Sequence, residues 1–226
     1  MFDNLESSML KIIKPQSQKP EDLIALIEDY ETNRVKYLNL DTIEDYSGDL
    51  CLVKLRSLEE VIGISKLSSG YFSTVYEVDD LTVLKLTKGR EDAAYDAFAK
   101  FCMNNPSKHL PKITWAGQVG NRSGYLIERL IPYEGEMATL VSSIMRLKLI
   151  EAGADSASRN GHSSAEGLDR LLQPTFLGPE LDTAAHLLAR EFENLNSGDF
   201  RWDLHGDNVM SRLDGTPVYT DPWSYR

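Results

Sequence analysis

The sequence has little that would direct it out of the cell or into a membrane. Its 226 residues include only two cysteines, Cys51 and Cys102, too few for a disulfide framework and typical of reduced thiols in a cytosolic protein. No apolar run approaches the length of about 18 residues that a membrane span needs. The first residues, MFDNLESSMLKIIK, lack the basic start and apolar stretch of a secretory signal. We therefore expect a cytoplasmic protein without a membrane partner.

Positive charge is also scarce. The chain has 24 Lys and Arg against 35 Asp and Glu, a formal net charge of -11. Nonspecific nucleic-acid binding relies on basic surface that displaces counterions, so direct nucleic-acid binding is not expected. An acidic surface favours solubility and leaves open an attraction to a basic partner. Apolar residues make up 42% of the chain, enough for a core in one globular unit or two tightly joined lobes.

Residues 1–60 are predicted to be a helical extension that carries no chemistry. Pro20, Glu21 and Asp22 suit the start of a helix. Leu23 and Ile27 then recur on one face of that helix, which favours packing against another part of the protein.

Residues 61–130 are predicted to form a five-stranded antiparallel sheet. Three β-rich runs, the first built on Ile62 and Ile64 and the last at 81–87, precede a predicted helix over 91–103. Two more strands flank the turn at 120–124. A sheet of this size is too small to stand alone, so a second lobe should cover it.

Residues 131–226 are predicted to supply that second lobe. Helices are expected over 137–150 and 181–195, and the intervening stretch 153–167 is rich in Gly, Ser and Ala, as is typical of a mobile loop. Asp214-Gly215 between two apolar runs predicts a tight hairpin. The predicted fold class is α+β, with a five-stranded sheet, a minimal helical second lobe and an N-terminal helical extension.

Asp203, Asn208 and Asp221 carry the strongest indication of chemistry. Asp203 and Asn208 have the spacing D-x-x-x-x-N, in which a carboxylate faces an acceptor hydroxyl while an amide oxygen reaches a magnesium ion. Asp221 follows the predicted hairpin, whose two ends should meet and bring it beside Asn208. Asp and Asn oxygens are hard ligands that Mg2+ prefers. A polar turn at Asp203 and a strand-ending cap at Asp221 are the alternatives.

Two stretches of the predicted sheet suit the phosphates of a nucleotide. The first hairpin is small and carries one of the three usual glycines, so its backbone can approach phosphates closely, although an ordinary hairpin is the alternative. Its residues are Ser68, Ser69, Gly70, Tyr71, Phe72, Ser73, Thr74 and Val75. Lys85 stands between apolar residues on the third strand, and a buried lysine needs a partner. Phosphates would supply that partner, unless Lys85 points to solvent from a sheet edge.

Phosphoryl transfer requires groups that position the phosphates, ligands for a metal ion and a group that accepts the hydroxyl proton. The order of these candidate groups over residues 62–226 resembles that of the protein-kinase-like superfamily. More closely, the sequence resembles the early serine/threonine protein kinases of short-tailed (podovirus) lytic phages. The resemblance rests on Gly70-Tyr71-Phe72-Ser73, Lys85, Ala93-Ala94-Tyr95 with Ala97-Phe98, Asp203-x-His205-x-x-Asn208 and Thr220-Asp221-Pro222.

The resemblance implies a role for each of these residues. Asp203 is the implied catalytic base, Asn208 and Asp221 are the implied magnesium ligands, and Lys85 is implied to hold the α- and β-phosphates beneath the loop at Gly70. The implied cofactors are ATP and Mg2+.

The resemblance also implies an adenine site and a role for a histidine. Glu128 to Leu130 is similar to the hinge whose backbone binds adenine. His205 stands where protein kinases usually carry a lysine that touches the transferred phosphate. A histidine at this place is also similar to aminoglycoside- and choline-kinase-like enzymes. Packing of His205 under the loop is the alternative.

Members of this family phosphorylate serine and threonine of host proteins, including transcription and RNA-processing machinery, in the host bacterial cytoplasm. Longer members carry a basic C-terminal region tied to host transcription shut-off, and this sequence ends before it. Two other functions stay open: a small-molecule phosphotransferase, suggested by Asp203-Leu204-His205-Gly206, and a catalytically dead acidic inhibitor of a host protein.

Two departures from the family pattern lead to expectations about how the enzyme is regulated. Arg201 and Trp202 precede Asp203 where many protein kinases have His-Arg, whose arginine reads a phosphorylated activation loop, so we expect an enzyme that is active as made. With five residues after Asp221, no activation segment is expected. The carboxylate partner of Lys85 stays open between Asp96 and Glu91.

Overall fold

The computed structural model describes most of the chain from Lys19 onwards. The described residues are 19–33, 36, 38–39, 54–55, 57–88, 92–154, 178–195 and 200–225. Cys51, Glu91 and most of the predicted loop at 153–167 lie outside these residues. Cys102 is a free thiol buried in the core.

The fold is α+β, as predicted. The helices are α1 (Pro20–Thr32), α2 (Leu58–Ile62), α3 (Ala93–Asn104), α4 (Gly135–Glu151) and α5 (Pro179–Leu195). The strands are β1 (Leu38–Asn39), β2 (Lys54–Leu55), β3 (Ser65–Ser69), β4 (Ser73–Glu77), β5 (Thr82–Thr87), β6 (Ile113–Val119), β7 (Arg122–Glu128), β8 (Ile131–Pro132), β9 (Phe200–Trp202), β10 (Val209–Ser211), β11 (Pro217–Tyr219) and β12 (Trp223–Tyr225). Within the described ranges, no helix combines the length and the apolar character needed to cross a membrane.

The main sheet has five antiparallel strands in the order β3-β4-β5-β7-β6. The first three strands form a meander, α3 follows β5, and β7 returns to lie between β5 and β6, with Lys85 opposite Tyr125. The prediction of a five-stranded antiparallel sheet with a helix after its third strand is confirmed.

The alternation of side chains along β5 gives the sheet two different faces. Leu84 and Leu86 are fully buried in a cluster with residues of α1 and α2. Lys85, between them, points to the opposite face, where its ammonium lies over the ring of Tyr95 in α3. One face of the sheet is therefore sealed by apolar packing, and the other presents a lysine to the rest of the chain.

Helix α1 packs directly on the first of these faces. A Cβ added at Gly124 in β7 would overlap the Ile24 side chain, and one added at Gly117 in β6 would lie 2.7 Å from Glu21 Cγ. Glycine at these two positions lets the helix approach the strands closely. Helix α1 is therefore part of the apolar core on this face of the sheet.

A polar cluster fixes the end of α1. Tyr76 donates a hydrogen bond of 2.6 Å from its hydroxyl to Glu31, and Arg122 lies 2.6 Å from the same carboxylate. Burial alone would raise the pKa of Glu31, but the bonds from Tyr76 and Arg122 together hold it below its ordinary value.

Ile24→Ala is expected to lower the free energy of unfolding by about 2–4 kcal/mol, because the fully buried Ile24 fills the space between α1 and β7. Chemical denaturation measures this loss. Ala25→Ser, at an exposed position of the same helix, should change stability by less than about 0.5 kcal/mol. Equal small effects for the two variants would contradict the packing of α1 on the sheet.

Two sequence predictions for the first 70 residues are wrong. The predicted helical extension contains the antiparallel pair β1 and β2, and the apolar-polar-apolar run at 53–55 suits such an extended pairing. Ile62, expected in the first strand, instead ends α2. Ser57 and Glu60 form a capping box that starts this helix, and Gly63, at a φ of 72°, ends it.

The C-terminal half packs on α3 around an aromatic cluster. Strand β9 pairs with β12, so that Trp202 lies opposite Trp223. Phe192 of α5 stacks on Trp202 with ring centroids 4.4 Å apart, and Phe98 of α3 meets Trp223 edge-on at 5.6 Å. Because Asp203 follows one tryptophan and Asp221 lies two residues before the other, this cluster fixes where both carboxylates emerge.

Candidate active site

Backbone hydrogen bonds bring Asp203, Asn208 and Asp221 together. The Asp203 N–H donates to the Pro222 carbonyl at 2.8 Å, and the Thr220 N–H donates to the Asn208 carbonyl at 3.0 Å. These bonds extend the pairings of β9 with β12 and of β10 with β11. The predicted hairpin at Asp214-Gly215 is confirmed, and its two ends meet beside Asp221.

The Asn208 side chain is oriented by the loop that contains it. Its amide nitrogen donates to the Asp203 carbonyl at 2.6 Å and lies 3.0 Å from His205 Nε2. Because the amide nitrogen is engaged, the Asn208 Oδ1 is the side-chain atom suited to a cation. The His205 side chain is 52% exposed, and its Nδ1 accepts a hydrogen bond of 3.3 Å from the Asp207 N–H of the same loop.

Helix α4 supports the same loop from behind. The Arg146 guanidinium donates to the Leu204 carbonyl. Gly206 lies against Ala138, where an added Cβ would come within 3.2 Å of the alanine Cβ. Backbone and side-chain contacts therefore hold the segment between Asp203 and Asn208 from both sides.

Lys85 reaches Asp221 across 136 residues of sequence, with its Nζ 2.7 Å from Asp221 Oδ2. The Lys85 side chain is only 10% exposed and that of Asp221 is 31% exposed. Lys85 is therefore buried, as predicted, and its ion-pair partner in this structure is Asp221.

Asp96, one of the two carboxylates predicted to pair with Lys85, has a different partner. It accepts a hydrogen bond of 2.9 Å from the Tyr125 hydroxyl, and burial raises its pKa. Glu91, the other predicted partner, lies outside the described residues. The helix α3 contact to Lys85 comes from Tyr95, whose ring centroid is 3.4 Å from the ammonium.

Asp92 also interacts electrostatically with Lys85. Asp92 was not identified as a site residue from the sequence. It is buried at the start of α3, and its Oδ2 has no hydrogen-bond partner in the part of the chain that the structure describes. Burial raises the pKa of Asp92 to about 6; Lys85 opposes this rise, and Asp221 and Asp96 add to it. In sequence Asp92 is typical of a helix start, and only its burial marks it as unusual.

Asp92→Asn is expected to flatten the pH dependence of stability. A carboxyl whose folded pKa is raised to about 6 binds its proton more tightly in the folded state. Folding stability therefore falls as pH rises from about 4 to about 6 and stays lowered above that range. The variant should gain on the order of 2 kcal/mol at pH 7.5 and nothing at pH 4.

Thermal or chemical denaturation of wild type and Asp92→Asn at both pH values measures this effect. Asp80→Asn, at an exposed position of the β4–β5 turn, is the control and should follow the wild type. A gain of the same size at pH 4 and pH 7.5 would contradict the assignment to Asp92 ionisation.

The predicted phosphate loop is the turn between β3 and β4. The Gly70 N–H donates to the Ser73 carbonyl at 2.9 Å, and Lys88 Nζ donates to the Gly70 carbonyl at 3.0 Å. Ser68, Ser69 and Tyr71 are exposed, and Phe72, Ser73 and Val75 are partly buried. Around Gly70, a Cβ would meet no described atom nearer than 4.0 Å. Packing against the described residues therefore does not explain glycine at this position.

The predicted hinge is partly engaged by internal contacts. The Glu128 N–H donates to the Lys112 carbonyl at 3.1 Å, and its carboxylate pairs with Arg212 at 2.6 Å. The Glu128 carbonyl and the backbone of the half-buried Leu130 are the hinge groups that could contact a purine.

Two cavities have linings that include none of Lys85, Asp203, Asn208 and Asp221. One of about 630 Å3 is lined by Cys102, Leu110 and Arg212, and one of about 490 Å3 follows the groove between α3 and α5. Lys85 lines neither of them. Its contact with Asp221 instead joins the sheet to the C-terminal half.

The oxygen donors fit one hard cation shared with phosphate. In the described parts of the chain, no group of three or more His, Cys, Asp or Glu is arranged to hold a metal alone. Asn208 Oδ1 and the carboxylate of Asp221 offer two oxygens. Mg2+ typically takes one or two protein oxygens and fills its remaining positions with water and substrate phosphate.

The comparisons with known proteins identify no relative: no protein-family model matches the sequence, and the search of curated proteins finds no match. The functional assignment therefore rests on the site geometry together with the motif resemblance.

Proposed function

We propose that this protein is an ATP- and Mg2+-dependent phosphotransferase of the protein-kinase-like class, which phosphorylates serine and threonine in proteins. One observation carries the proposal: the ion pair between Lys85 of the sheet and Asp221, which lies beside Asp203 and Asn208. These four side chains are the ones that phosphoryl transfer needs, and Lys85 joins the other three from a position 136 residues before Asp221.

The fold supports this class of enzyme. In the proposal, residues 61–130 are the N-lobe, residues 131–226 are a minimal C-lobe and residues 1–60 are an extension of the N-lobe. The sheet order β3-β4-β5-β7-β6 and the position of α3 after β5 suit the N-lobe. The lysine on β5 then faces the loop that carries Asp203, as a two-lobed kinase requires.

The proposed reaction divides its work among these residues. Lys85 binds the α- and β-phosphates, and the backbone around Gly70 covers them. Asp203 accepts the proton of the acceptor hydroxyl as its oxygen bonds to the γ-phosphorus of ATP, while the bond from the γ-phosphorus to the β–γ bridging oxygen breaks and ADP leaves. Asn208 and Asp221 would hold Mg2+, which when bound neutralises negative charge on the phosphates. The half-exposed His205 stands beside Asn208, within reach of the transferred phosphate.

The face of the sheet that carries Lys85 also suits a purine. Val83 shares that face with Lys85 and lies opposite Ile127, and Val75 lies opposite Lys85 on the neighbouring strand. All three apolar side chains are only partly buried. An adenine against this surface would reach the backbone at Glu128 and Leu130, and apolar walls with a few polar backbone groups are typical of such pockets.

The proposed substrates are host proteins, including transcription and RNA-processing machinery, in the bacterial cytoplasm. The motif resemblance to early phage kinases supports this class, and the net charge of -11 favours basic partners. The exposed His205 within Asp203-Leu204-His205-Gly206 supports a second candidate, transfer to a small-molecule hydroxyl such as that of an aminoglycoside or choline.

Transfer of label from γ-labelled ATP tests the proposal. Purified, phosphatase-treated protein should label a bacterial protein mixture on serine and threonine, without pretreatment by another kinase, and should lose this activity when EDTA removes Mg2+. Labelling of aminoglycosides or choline instead would favour the second candidate. No transfer to either class of acceptor would refute the proposed function.

A further inference from the structure

The proposed function gives Asp221 two uses that compete. Its Oδ2 lies 2.7 Å from Lys85 Nζ, and its carboxylate is also one of the two proposed ligands of the metal. A divalent cation bound to the same carboxylate would compete with Lys85 for its negative charge and weaken this ion pair. The lysine, whose side chain is 10% exposed, then needs another group to hold its ammonium in place, because an unpaired buried charge is unfavourable.

The acidic side chains of α3 do not hold Lys85 by a hydrogen bond in this structure. Asp96 is bound to the Tyr125 hydroxyl. Asp92 acts on Lys85 through space, and its Oδ2 has no hydrogen-bond partner within the described ranges. The direct contact from α3 is the aromatic face of Tyr95, whose centroid is 3.4 Å from Lys85 Nζ.

The Tyr95 ring is held rigidly in that position. It is 1% exposed. Tyr125 meets it edge-on with centroids 5.5 Å apart, and Phe98, one turn later on α3, lies at 6.1 Å. A cation over the face of such a ring is attracted by the negative potential of the π-electrons, most strongly where water is excluded.

From these contacts we infer that Tyr95 is a positioning residue for Lys85. Its ring face, 3.4 Å from the ammonium, holds Lys85 in place for the nucleotide phosphates when the charge of Asp221 is shared with a metal. An aromatic ring on α3 thereby does the work that the sequence led us to expect from a helix carboxylate. This inference rests on the proposed function, because it assigns Lys85 to the phosphates.

Fluorinated phenylalanines at position 95 test the inference without changing the packing. The series Tyr95→Phe, Tyr95→4-fluoro-Phe and Tyr95→3,4,5-trifluoro-Phe nearly keeps the ring volume while it withdraws electron density from the ring face. The KM for ATP should rise stepwise, by about 5- to 30-fold from Phe to trifluoro-Phe, with a smaller change in kcat. The same series at Tyr30 of α1, which packs on the opposite face of the sheet, is the matched control, and its KM should stay constant.

Nuclear magnetic resonance of Lys85 provides a readout that does not depend on activity. Protons on the Lys85 ε-carbon, close to the ring face, should resonate upfield in the wild type and return toward ordinary values in Tyr95→Leu. If Tyr95→Leu does not fold, the fluorinated series still decides the question.

The outcomes separate this inference from the proposed function. An active wild-type enzyme with a flat KM across the Tyr95 series would overturn the positioning role, and so would a Lys85 resonance that is not displaced upfield. A wild type that transfers no phosphate would overturn the proposed function, and an upfield Lys85 resonance would then still establish the contact.

Discussion

Asp203→Ala is expected to lower kcat for phosphate transfer by about 10^2- to 10^4-fold, because it removes the proposed acceptor of the hydroxyl proton. The KM for ATP should change little, since Asp203 is proposed to face the acceptor hydroxyl. Steady-state kinetics with γ-labelled ATP and a peptide acceptor measures both constants.

The structure makes this a clean test. The Asp203 backbone donates to Pro222 and accepts from the Asn208 amide, and these bonds survive the loss of the side chain. Asp203→Asn, which keeps the shape of the side chain, should lose as much activity as Asp203→Ala. The control is Asp80→Ala, at an exposed turn of the sheet, which should keep full activity. More than half of the wild-type kcat in Asp203→Ala would exclude Asp203 as the base.

Asp221→Asn is expected to remove nearly all Mg2+-dependent transfer, by about 10^3-fold or more in kcat/KM, because it weakens the proposed metal site where negative charge on the phosphates must be neutralised. Titration of activity with Mg2+ measures the effect. The apparent affinity for Mg2+ should fall together with the rate, and excess Mg2+ should restore part of the activity.

The same substitution also tests the ion pair. Asp221→Asn leaves the ammonium of Lys85 in a largely buried position, whereas Lys85→Met leaves a carboxylate that is 31% exposed and open to water. Asp221→Asn should therefore lower the free energy of unfolding more than Lys85→Met does. The double variant should be more stable than the sum of the single losses predicts. Additive losses would show that the pair is not formed in solution.

Much of the fold could be predicted because its signals are local. Alternating residues predicted the strands, apolar residues at helical spacing predicted the helix after the third strand, and Asp214-Gly215 predicted the hairpin. These patterns depend on neighbours only a few residues apart. The capping box of Ser57 and Glu60 was an equally local signal for α2, and the alternation around Ile62 concealed it.

The candidate site could be predicted only in part. The spacing of Asp203 and Asn208 and the hairpin before Asp221 indicated that these three residues meet, since all three lie within the last quarter of the chain. The burial of Lys85 was predicted, and of its two predicted partners Glu91 lies outside the described residues while Asp96 has another partner. Asp96 was a plausible partner for Lys85 from its place on the helix, but it accepts a hydrogen bond from the Tyr125 hydroxyl instead. The contact from that helix to Lys85 is made by the ring of Tyr95.

Local sequence patterns were enough to predict a five-stranded main sheet with a helix after its third strand, the hairpin that returns Asp221 to Asn208, and the side chains suited to phosphate chemistry. Tertiary structure alone decided that Lys85 meets Asp221 across 136 residues, that Asp92 is buried beside them, and that Tyr95 turns its ring to the ammonium. The physical reason is that burial and charge interactions depend on which surfaces pack together in space. Spacing along the chain contains little information about such packing.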